Sequence, residues 1–304
     1  MSDATPGGRS ATPYLMLTLA CLFWASVFVL GRATRDTIPP MSLTVLRHVV
    51  AAGVLLALAW RPLRTEWCLL LASWRWVLVL GLMAIGLFPA LLLLALARTT
   101  ALNGSLINSV QPVMTVALAY LAIREPVSPR QAAGILLSLA GVVVIATRGA
   151  PGAAGAIDLN TGDLLVMLCL FLWSLYSIGL RHVPASLSPS VLALAIVLVG
   201  LPCSVPFMVM EMASGRAVTF DAATFGAIVY FGVFPSALAL LFWNRGVAAL
   251  GPNRSAIFVH LIPVFGAIMA IAFLGEAPRP YHAVGIAVVI AGVWLTTSSR
   301  RAGP

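Results

Sequence analysis

Amide and hydroxyl side chains interrupt one apolar stretch of the chain. Asn108 and Gln111 stand three residues apart, and Ser105, Ser109 and Thr115 follow at other three- and four-residue spacings, so on a helix many of them share a face. Amides both donate and accept hydrogen bonds, which suits a ligand that carries a carboxylate and an ammonium group. The same side chains could instead link neighbouring helices. The pattern favours a binding face with Asn108 and Gln111 as contacts.

Two prolines lie deep in apolar stretches, at Pro112 and Pro263. A proline inside a helix removes one hydrogen bond and clashes with the carbonyl four residues earlier, which is that of Asn108 or Val259. In a membrane the freed group must find another partner. We interpret both prolines as hinges beside a cavity, although a static kink would leave the same pattern.

His260 stands three residues before Pro263, as Ser109 stands three before Pro112. An imidazole there could bind a carboxylate or carry a proton, or it could be a hydrogen-bonded core residue. Both interpretations stay open. The histidines and cysteines show no metal-ligand or paired spacing, so we expect no metal, no cofactor and no disulfide.

Aromatic residues supply the predicted apolar lining of the same cavity. Trp24 and Phe28 lie one turn apart, and Trp173 and Ser177 repeat that spacing later in the chain. Most aromatic residues of a membrane bundle only pack against their neighbours, so packing is the alternative role. The predicted lining set is Trp24, Phe28, Phe88, Trp173, Tyr176, Ser177, Tyr230 and Phe234.

Arg47 lies about two turns inside the end of a predicted span. It could extend along its aliphatic stem to the membrane surface, or it could provide the counter-charge for a substrate carboxylate. The sequence favours the structural role. The acids at Glu125, Glu211 and Glu276 all fall at span ends, which argues against a proton-coupled antiporter of cations.

The composition identifies the kind of protein that holds these residues. Of 304 residues, 61% are hydrophobic and 9% are charged, whereas soluble proteins carry roughly 25% charged residues. A soluble enzyme, a disordered protein and a nucleic-acid-binding domain are excluded. The chain also lacks the lysine-containing glycine-rich loop that cradles ATP, so we expect neither ATP hydrolysis nor any enzyme activity.

Apolar stretches long enough to cross a bilayer of about 30 Å occur throughout the chain, separated by short polar connections. They predict an all-α membrane protein with ten transmembrane helices. The predicted spans are 13–31, 41–60, 75–96, 102–122, 130–147, 161–180, 189–210, 223–243, 253–274 and 281–298.

The arginines between the spans predict the orientation. Eleven fall on the side that holds both termini and six on the other, and cytoplasmic loops carry the excess of basic residues. We therefore expect both termini in the cytoplasm. The eleven are Arg9, Arg61, Arg64, Arg75, Arg124, Arg130, Arg181, Arg245, Arg254, Arg300 and Arg301, and the six are Arg32, Arg35, Arg98, Arg148, Arg216 and Arg279.

The chain repeats itself at an offset near 150 residues. The predicted units are a tail (1–12), a five-span half (13–148), a linker (149–160), a second half (161–299) and a tail (300–304). Because each half has an odd number of spans, the second half is inverted, as in many transporters. The matched residues are Trp24 with Trp173, Phe88-Pro89 with Phe234-Pro235, Pro112 with Pro263, Glu125 with Glu276, and Ala140-Gly141-Val142 with Ala291-Gly292-Val293.

Glycines seven residues apart close each half: Gly134 and Gly141 in the fifth span, Gly285 and Gly292 in the tenth. Small residues let helix backbones approach closely, so we expect the fifth and tenth spans to pack together. The binding site is expected between the halves, near the middle of the membrane.

This order of motifs resembles the drug/metabolite transporter superfamily, in its ten-helix EamA-type branch. Each half runs from an aromatic-Trp motif through a proline-containing helix and a terminal acid to a Gly-x6-Gly helix, and Pro40 followed by Arg47 is similar to that branch's second helix. Within the branch the chain is most similar to exporters of aromatic amino acids.

The resemblance implies a monomeric secondary transporter in the lipid of a bacterial inner membrane. It would export amino acids, aromatic and other neutral ones, and related metabolites by alternating access. A broad carrier of amphipathic drugs or nucleotide sugars is the alternative that the resemblance leaves open. No nucleic acid or protein partner is implied.

Overall fold

The computed structural model describes residues 11–34, 37–150, 152 and 160–298, and every regular element in them is helical. Ten helices are long and apolar enough to cross a membrane, which confirms the predicted fold class. We number them in chain order: α1 Thr12–Thr34, α2 Pro40–Ala72, α3 Trp74–Leu96, α4 Leu102–Ile123, α5 Pro129–Ala146, α6 Thr161–His182, α7 Pro189–Ala213, α8 Ala222–Leu250, α9 Pro252–Leu274 and α10 Pro280–Ser298.

Parts of the predicted layout lie outside the described residues. These are 1–10 and 299–304 at the ends, 153–159 of the predicted linker, and with them Arg9, Arg35, Arg300 and Arg301 of the orientation count.

The structure corrects the ends of two predicted spans. Helix α2 runs to Ala72 and not to residue 60, and Ser73 alone separates it from α3. Helix α8 continues past residue 243 to Leu250. Arginine is a good helix former, so Arg61 and Arg245 continue these helices where the sequence suggested a loop.

Helices α4 and α9 are interrupted just before the matched prolines. In α4 the segment Ala101–Asn108 ends before Ser109, and a second segment begins at Gln111. In α9 a 3-10 turn, Ile257–His260, precedes Leu261–Leu274. Pro112 and Pro263 therefore stand in the first turn of a new segment, where a missing N–H is tolerated. Each observed break therefore lies slightly before the proline, and not at it as predicted.

Helices α3 and α8 each contain a π-helical segment: Leu82–Leu87 ends two residues before Pro89, and Gly232–Leu238 contains Pro235. The Ile85 carbonyl has no N–H to accept from at Pro89. The hydroxyl of Ser204 on α7 donates to it instead, at 3.1 Å. Such segments occur often at functional sites. The sequence indicated the prolines but not this geometry.

The two halves interdigitate. Helix α1 packs against α8 and α9, and in the inverted arrangement α6 packs against α3 and α4. The pairs α2 with α7 and α5 with α10 complete the interface. All of these contacts join the first half to the second, so the centre of the bundle is built from both halves.

The α5–α10 contact confirms the role predicted for the glycines. A Cβ atom on Gly141 would lie 2.8 Å from the carbonyl oxygen of Gly285, and one on Gly292 would lie 2.6 Å from that of Gly134. Side chains at these positions would push the two backbones apart.

Helices α2 and α7 cap each other at opposite ends. The Ser188 amide at the start of α7 donates to a carboxylate oxygen of Glu66 at 2.6 Å, and the Ser42 amide in the first turn of α2 donates to Glu211 at 2.8 Å. A carboxylate satisfies the free N–H groups of a helix start and matches its positive dipole. This reciprocal capping fixes the antiparallel pair at both ends.

Candidate functional site

Three tryptophans from three helices meet at the centre of the bundle. The ring of Trp24 on α1 lies 5.2 Å from that of Trp173 on α6 and 5.3 Å from that of Trp243 on α8, and the last two are 5.8 Å apart. Phe88 on α3 and Tyr176 on α6 lie 5.5 Å and 5.1 Å from Trp173. We call these five side chains the aromatic cage.

Hydrogen bonds fix the orientation of the cage. The indole N–H of Trp24 donates to the carbonyl of Pro235 in the π segment of α8, at 3.1 Å. The indole of Trp243 donates to the Ser177 hydroxyl at 3.3 Å, and the Tyr176 hydroxyl donates to the side-chain oxygen of Asn244 at 2.5 Å. The polar tips of Trp24, Trp243 and Tyr176 thus each have a partner on another helix, as buried polar groups require.

Two side-chain amides near the cage have N–H groups without a partner. The Nδ2 atom of Asn244 and the Nε2 atom of Gln111 are both buried and donate no hydrogen bond. An unpaired buried donor costs about 1–3 kcal/mol, which a ligand with oxygen acceptors would recover.

Gln111 faces α6. Thr115, one turn further along α4, shares a hydrogen bond of 2.8 Å with Ser174 of α6, and residues four apart on a helix lie on one face. Gln111 is buried, whereas Asn108, on the other side of the break in α4, is partly exposed. Of the two predicted amides, Gln111 is therefore buried on the face of α4 that packs against α6, and Asn108 is only partly buried.

His260 joins three helices. Its Nε2 atom donates to the Ser109 carbonyl of α4 at 2.8 Å, since a carbonyl can only accept, and its Nδ1 atom lies 2.6 Å from the Ser138 hydroxyl of α5. The ring is buried. Both nitrogens are engaged in this conformation, which fits the core interpretation; substrate contact stays a prediction.

A second aromatic group lies beside the cage. Phe234 lies 5.1 Å from Tyr230 and 5.3 Å from Phe23 of α1, and the Tyr230 hydroxyl donates to Ser26 at 3.0 Å. Phe28 makes none of these ring contacts, and 57% of its surface is exposed.

The sequence prediction missed two residues of the site, Trp243 and Asn244. Trp243 is the last residue of the predicted eighth span and Asn244 is the first residue beyond it, and neither is among the predicted lining residues. An asparagine beside a tryptophan in an apolar stretch was the available signal.

Two acids lie outside the cage and already have partners. Asp163, at the start of α6, accepts from Thr99 and Asn103, and Glu125 pairs with Arg181 at 3.1 Å. Both acids stand at the ends of helices. In the described residues, no three His, Cys, Asp or Glu side chains converge as a metal site would require.

Comparison with known proteins identifies the family. Residues 11–147 and 160–298 each match the EamA-like transporter family, one match for each half. The chain belongs to this family. The predictions of a transporter, of two repeats and of no enzyme activity are thereby confirmed, because the relatives of this EamA-like protein are described as transporters.

Three relatives span nearly the whole EamA-like chain. An uncharacterized transporter of Archaeoglobus fulgidus is 30% identical over 94% of this chain and 98% of its own length. A probable terminal-alkyne amino-acid exporter of Streptantibioticus cattleyicolor is 28% identical over 92% and 91%. The aromatic amino acid exporter YddG of Ancylobacter novellus is 25% identical over 96% and 99%.

A solved structure shares the fold. It is a crystal structure with a TM-score of 0.77, at 21% sequence identity, over 95% of this chain and 98% of that one. The ten-helix arrangement is therefore that of a known experimental structure.

Proposed function

We propose that this EamA-like transporter exports amino acids, aromatic and other neutral ones, across the inner membrane of a bacterium. The observation that supports this most is the cage of aromatic rings with unpartnered amide donors beside it and no carboxylate within it. Aromatic faces suit an apolar side chain and attract an ammonium group. The amide N–H groups of Gln111 and Asn244 suit the oxygens of the substrate.

The proposed contacts keep the predicted set and add to it. From the cage and its surroundings they are Trp24, Phe28, Phe88, Asn108, Gln111, Trp173, Tyr176, Ser177, Tyr230, Phe234 and His260, together with Trp243 and Asn244. The names of the relatives from Streptantibioticus cattleyicolor and Ancylobacter novellus are consistent with an amino-acid substrate.

Alternating access is the proposed transport mechanism. Two inverted halves can exchange conformations, so that the site opens to one side and then to the other. The interruptions before Pro112 and Pro263 are the proposed hinges, since a helix break absorbs a change of angle without the loss of further hydrogen bonds. The monomer is the proposed functional unit.

Counterflow into liposomes tests the substrate. We expect purified protein to accumulate radiolabelled L-phenylalanine in liposomes loaded with the unlabelled amino acid. Trp173→Ala removes the ring that contacts four others and should reduce the rate at least about tenfold, because each aromatic pair contributes about 0.5–1.5 kcal/mol. Trp294→Ala on α10, whose ring is 64% exposed, is the control and should transport normally.

Two results would change this proposal. If wild-type protein moves none of the twenty amino acids, the substrate assignment is wrong. If a cationic amphipathic drug competes with L-phenylalanine for the cage, a broad carrier of drugs is the better description.

The proposed orientation has a natural probe in Cys68. This residue is exposed on the extended end of α2, while Cys21 and Cys169 are buried. With the termini in the cytoplasm, a membrane-impermeant maleimide should label Cys68 in inside-out vesicles. Labelling confined to right-side-out vesicles would show the opposite orientation.

A further inference from the structure

One helix crossing is built twice, once in each half. Where α2 crosses α8, a Cβ atom on Gly232 would lie 2.9 Å from the Arg47 carbonyl oxygen and 2.4 Å from the Cβ atom of Val50. Where α7 crosses α3, a Cβ atom on Gly81 would lie 2.9 Å from the carbonyl oxygen of Ile196 and 2.8 Å from Val199. In both crossings a glycine lets one helix rest on the backbone of the other.

The second crossing therefore serves as an internal control for the first. Arg47 and Ile196 hold the same position, yet Ile196 is aliphatic and fully buried. Since the crossing forms around an isoleucine in one half, its packing does not need a charge in the other. The packing of this crossing therefore does not account for the guanidinium of Arg47.

The charge of Arg47 has no partner in the part of the chain that the structure describes. Its Nε atom is buried without a hydrogen bond, and it makes no ion pair with a carboxylate of the described residues. Glu211, the acid at the near end of α7, is engaged by the amides of Met41 and Ser42. An arginine within a membrane span is costly unless it is paired, and such residues commonly mark substrate pathways.

We propose that Arg47 binds the carboxylate of the transported substrate. This inference rests on the proposed function and deepens it. The planar guanidinium matches a carboxylate with two parallel hydrogen bonds. Gly232 packs against the backbone of Arg47. Three residues further along α8, or about 5 Å of helix, the Pro235 carbonyl accepts the hydrogen bond from Trp24. A bound amino acid would thus direct its side chain along α8 towards the cage.

Ligands with and without a carboxylate test this proposal. The first probe is L-phenylalanine. The second, 3-phenylpropionate, keeps the carboxylate but lacks the ammonium group, and the third, L-phenylalaninamide, keeps the ammonium group but lacks the carboxylate. Binding is measured by thermal shift in detergent and as competition in counterflow. For Arg47→Gln we expect about 10- to 100-fold weaker binding of the two carboxylates, as for loss of a charged hydrogen bond, and unchanged binding of the amide.

Arg47→Ile is the folding control, because Ile196 already occupies the equivalent position. It should elute as wild type and keep its melting temperature, while it loses carboxylate binding as Arg47→Gln does. Arg47→Lys should keep part of the affinity, since it retains the charge without the planar fork.

Several outcomes would overturn the assignment. Equal loss for all three probes would show a structural role. A defect seen only in vesicles with phosphatidylglycerol, and not in phosphatidylethanolamine and phosphatidylcholine alone, would assign Arg47 to a lipid phosphate. If wild type binds 3-phenylpropionate through Arg47 but moves no amino acid, only the proposed function fails. If wild type transports L-phenylalanine and Arg47→Gln binds it equally well, only this inference fails.

Discussion

Hairpins α3–α4 and α8–α9 are equivalent in the two halves, and each docks on the first helix of the opposite half. The α3–α4 turn docks on α6 through polar groups: Asp163 accepts hydrogen bonds from Thr99 and from Asn103. Near its turn the α8–α9 hairpin docks on α1 through apolar contacts, with Leu17 against Gly246, while its hydrogen bonds with Trp24 and Ser26 of α1 lie further along α8. The two hairpins thus differ in the chemistry of the contact that lies nearest the turn.

The two hairpins also differ in how deeply they are packed. After the α8–α9 turn, the stretch from Ser255 to Leu261 is buried without a break. After the α3–α4 turn, buried and partly exposed residues alternate from Leu102 to Asn108. The repeat-related hairpins are therefore packed to different depths.

The largest expected effect is a difference in stability between glycine substitutions at the two docking contacts. A Cβ atom on Gly162 of α6 would lie 2.6 Å from backbone atoms of Arg98 and Thr99, whereas one on Gly246 would meet only the Leu17 side chain. Backbone cannot move aside as a side chain can. Gly162→Val should destabilise by about 3 kcal/mol or more and Gly246→Val by about 1–3 kcal/mol, measured by thermal unfolding in detergent. The reverse order would contradict this comparison.

Removal of the Asp163 carboxylate should weaken the docking of the α3–α4 hairpin on α6 but not that of the α8–α9 hairpin on α1. Asp163→Ala removes the acceptor that Thr99 and Asn103 share and the capping box of α6, so we expect the melting temperature to fall by about 5–10 °C. Asp163→Asn keeps one acceptor oxygen and should lose less. Equal values for the two variants would show that the carboxylate charge, and not its hydrogen bonds, matters.

Substitution of His260 tests how far the α8–α9 hairpin depends on the polar contacts of this residue with α4 and α5. His260→Leu leaves the Ser109 carbonyl and the Ser138 hydroxyl without this partner and should cost about 1–3 kcal/mol. Ser138→Ala removes the 2.6 Å contact with His260 and a bond within α5 to the Ile135 carbonyl, but it keeps the bond from His260 to the Ser109 carbonyl and should cost less. Unfolding in detergent measures both, and a neutral His260→Leu would show that packing suffices.

The smallest expected effect concerns the start of α8. Asp221 accepts from the Thr224 amide at 2.7 Å, and this hydrogen bond lowers the pKa of its carboxyl group; α3 has no such cap. Because the folded pKa lies below the unfolded value, the contribution is present above the ordinary aspartate pKa and is lost as the pH falls through the folded one. Asp221→Asn should remove this small acid dependence from the melting curve.

Much of the fold could be predicted because the membrane restricts it. Helices are the means by which a bilayer-spanning segment can satisfy its backbone, so apolar length alone indicated the ten spans. The repeat then predicted which helices are equivalent, and the glycine spacing predicted the α5–α10 contact. The sequence also determined the residue types at the centre, such as Trp24, Trp173 and Gln111.

The tertiary structure decided which of these residues meet. Trp243 completes the cage because its ring contacts those of Trp24 and Trp173 on other helices, and a local pattern does not reveal such contacts. Phe28 and Gln111 look alike as candidates in the sequence, yet one is exposed and the other is buried against α6. The sequence repeat already pairs Arg47 with Ile196, and the structure adds that the two residues lie at equivalent helix crossings. Such facts depend on contacts between segments that are distant in the sequence, which spacing along one helix cannot encode.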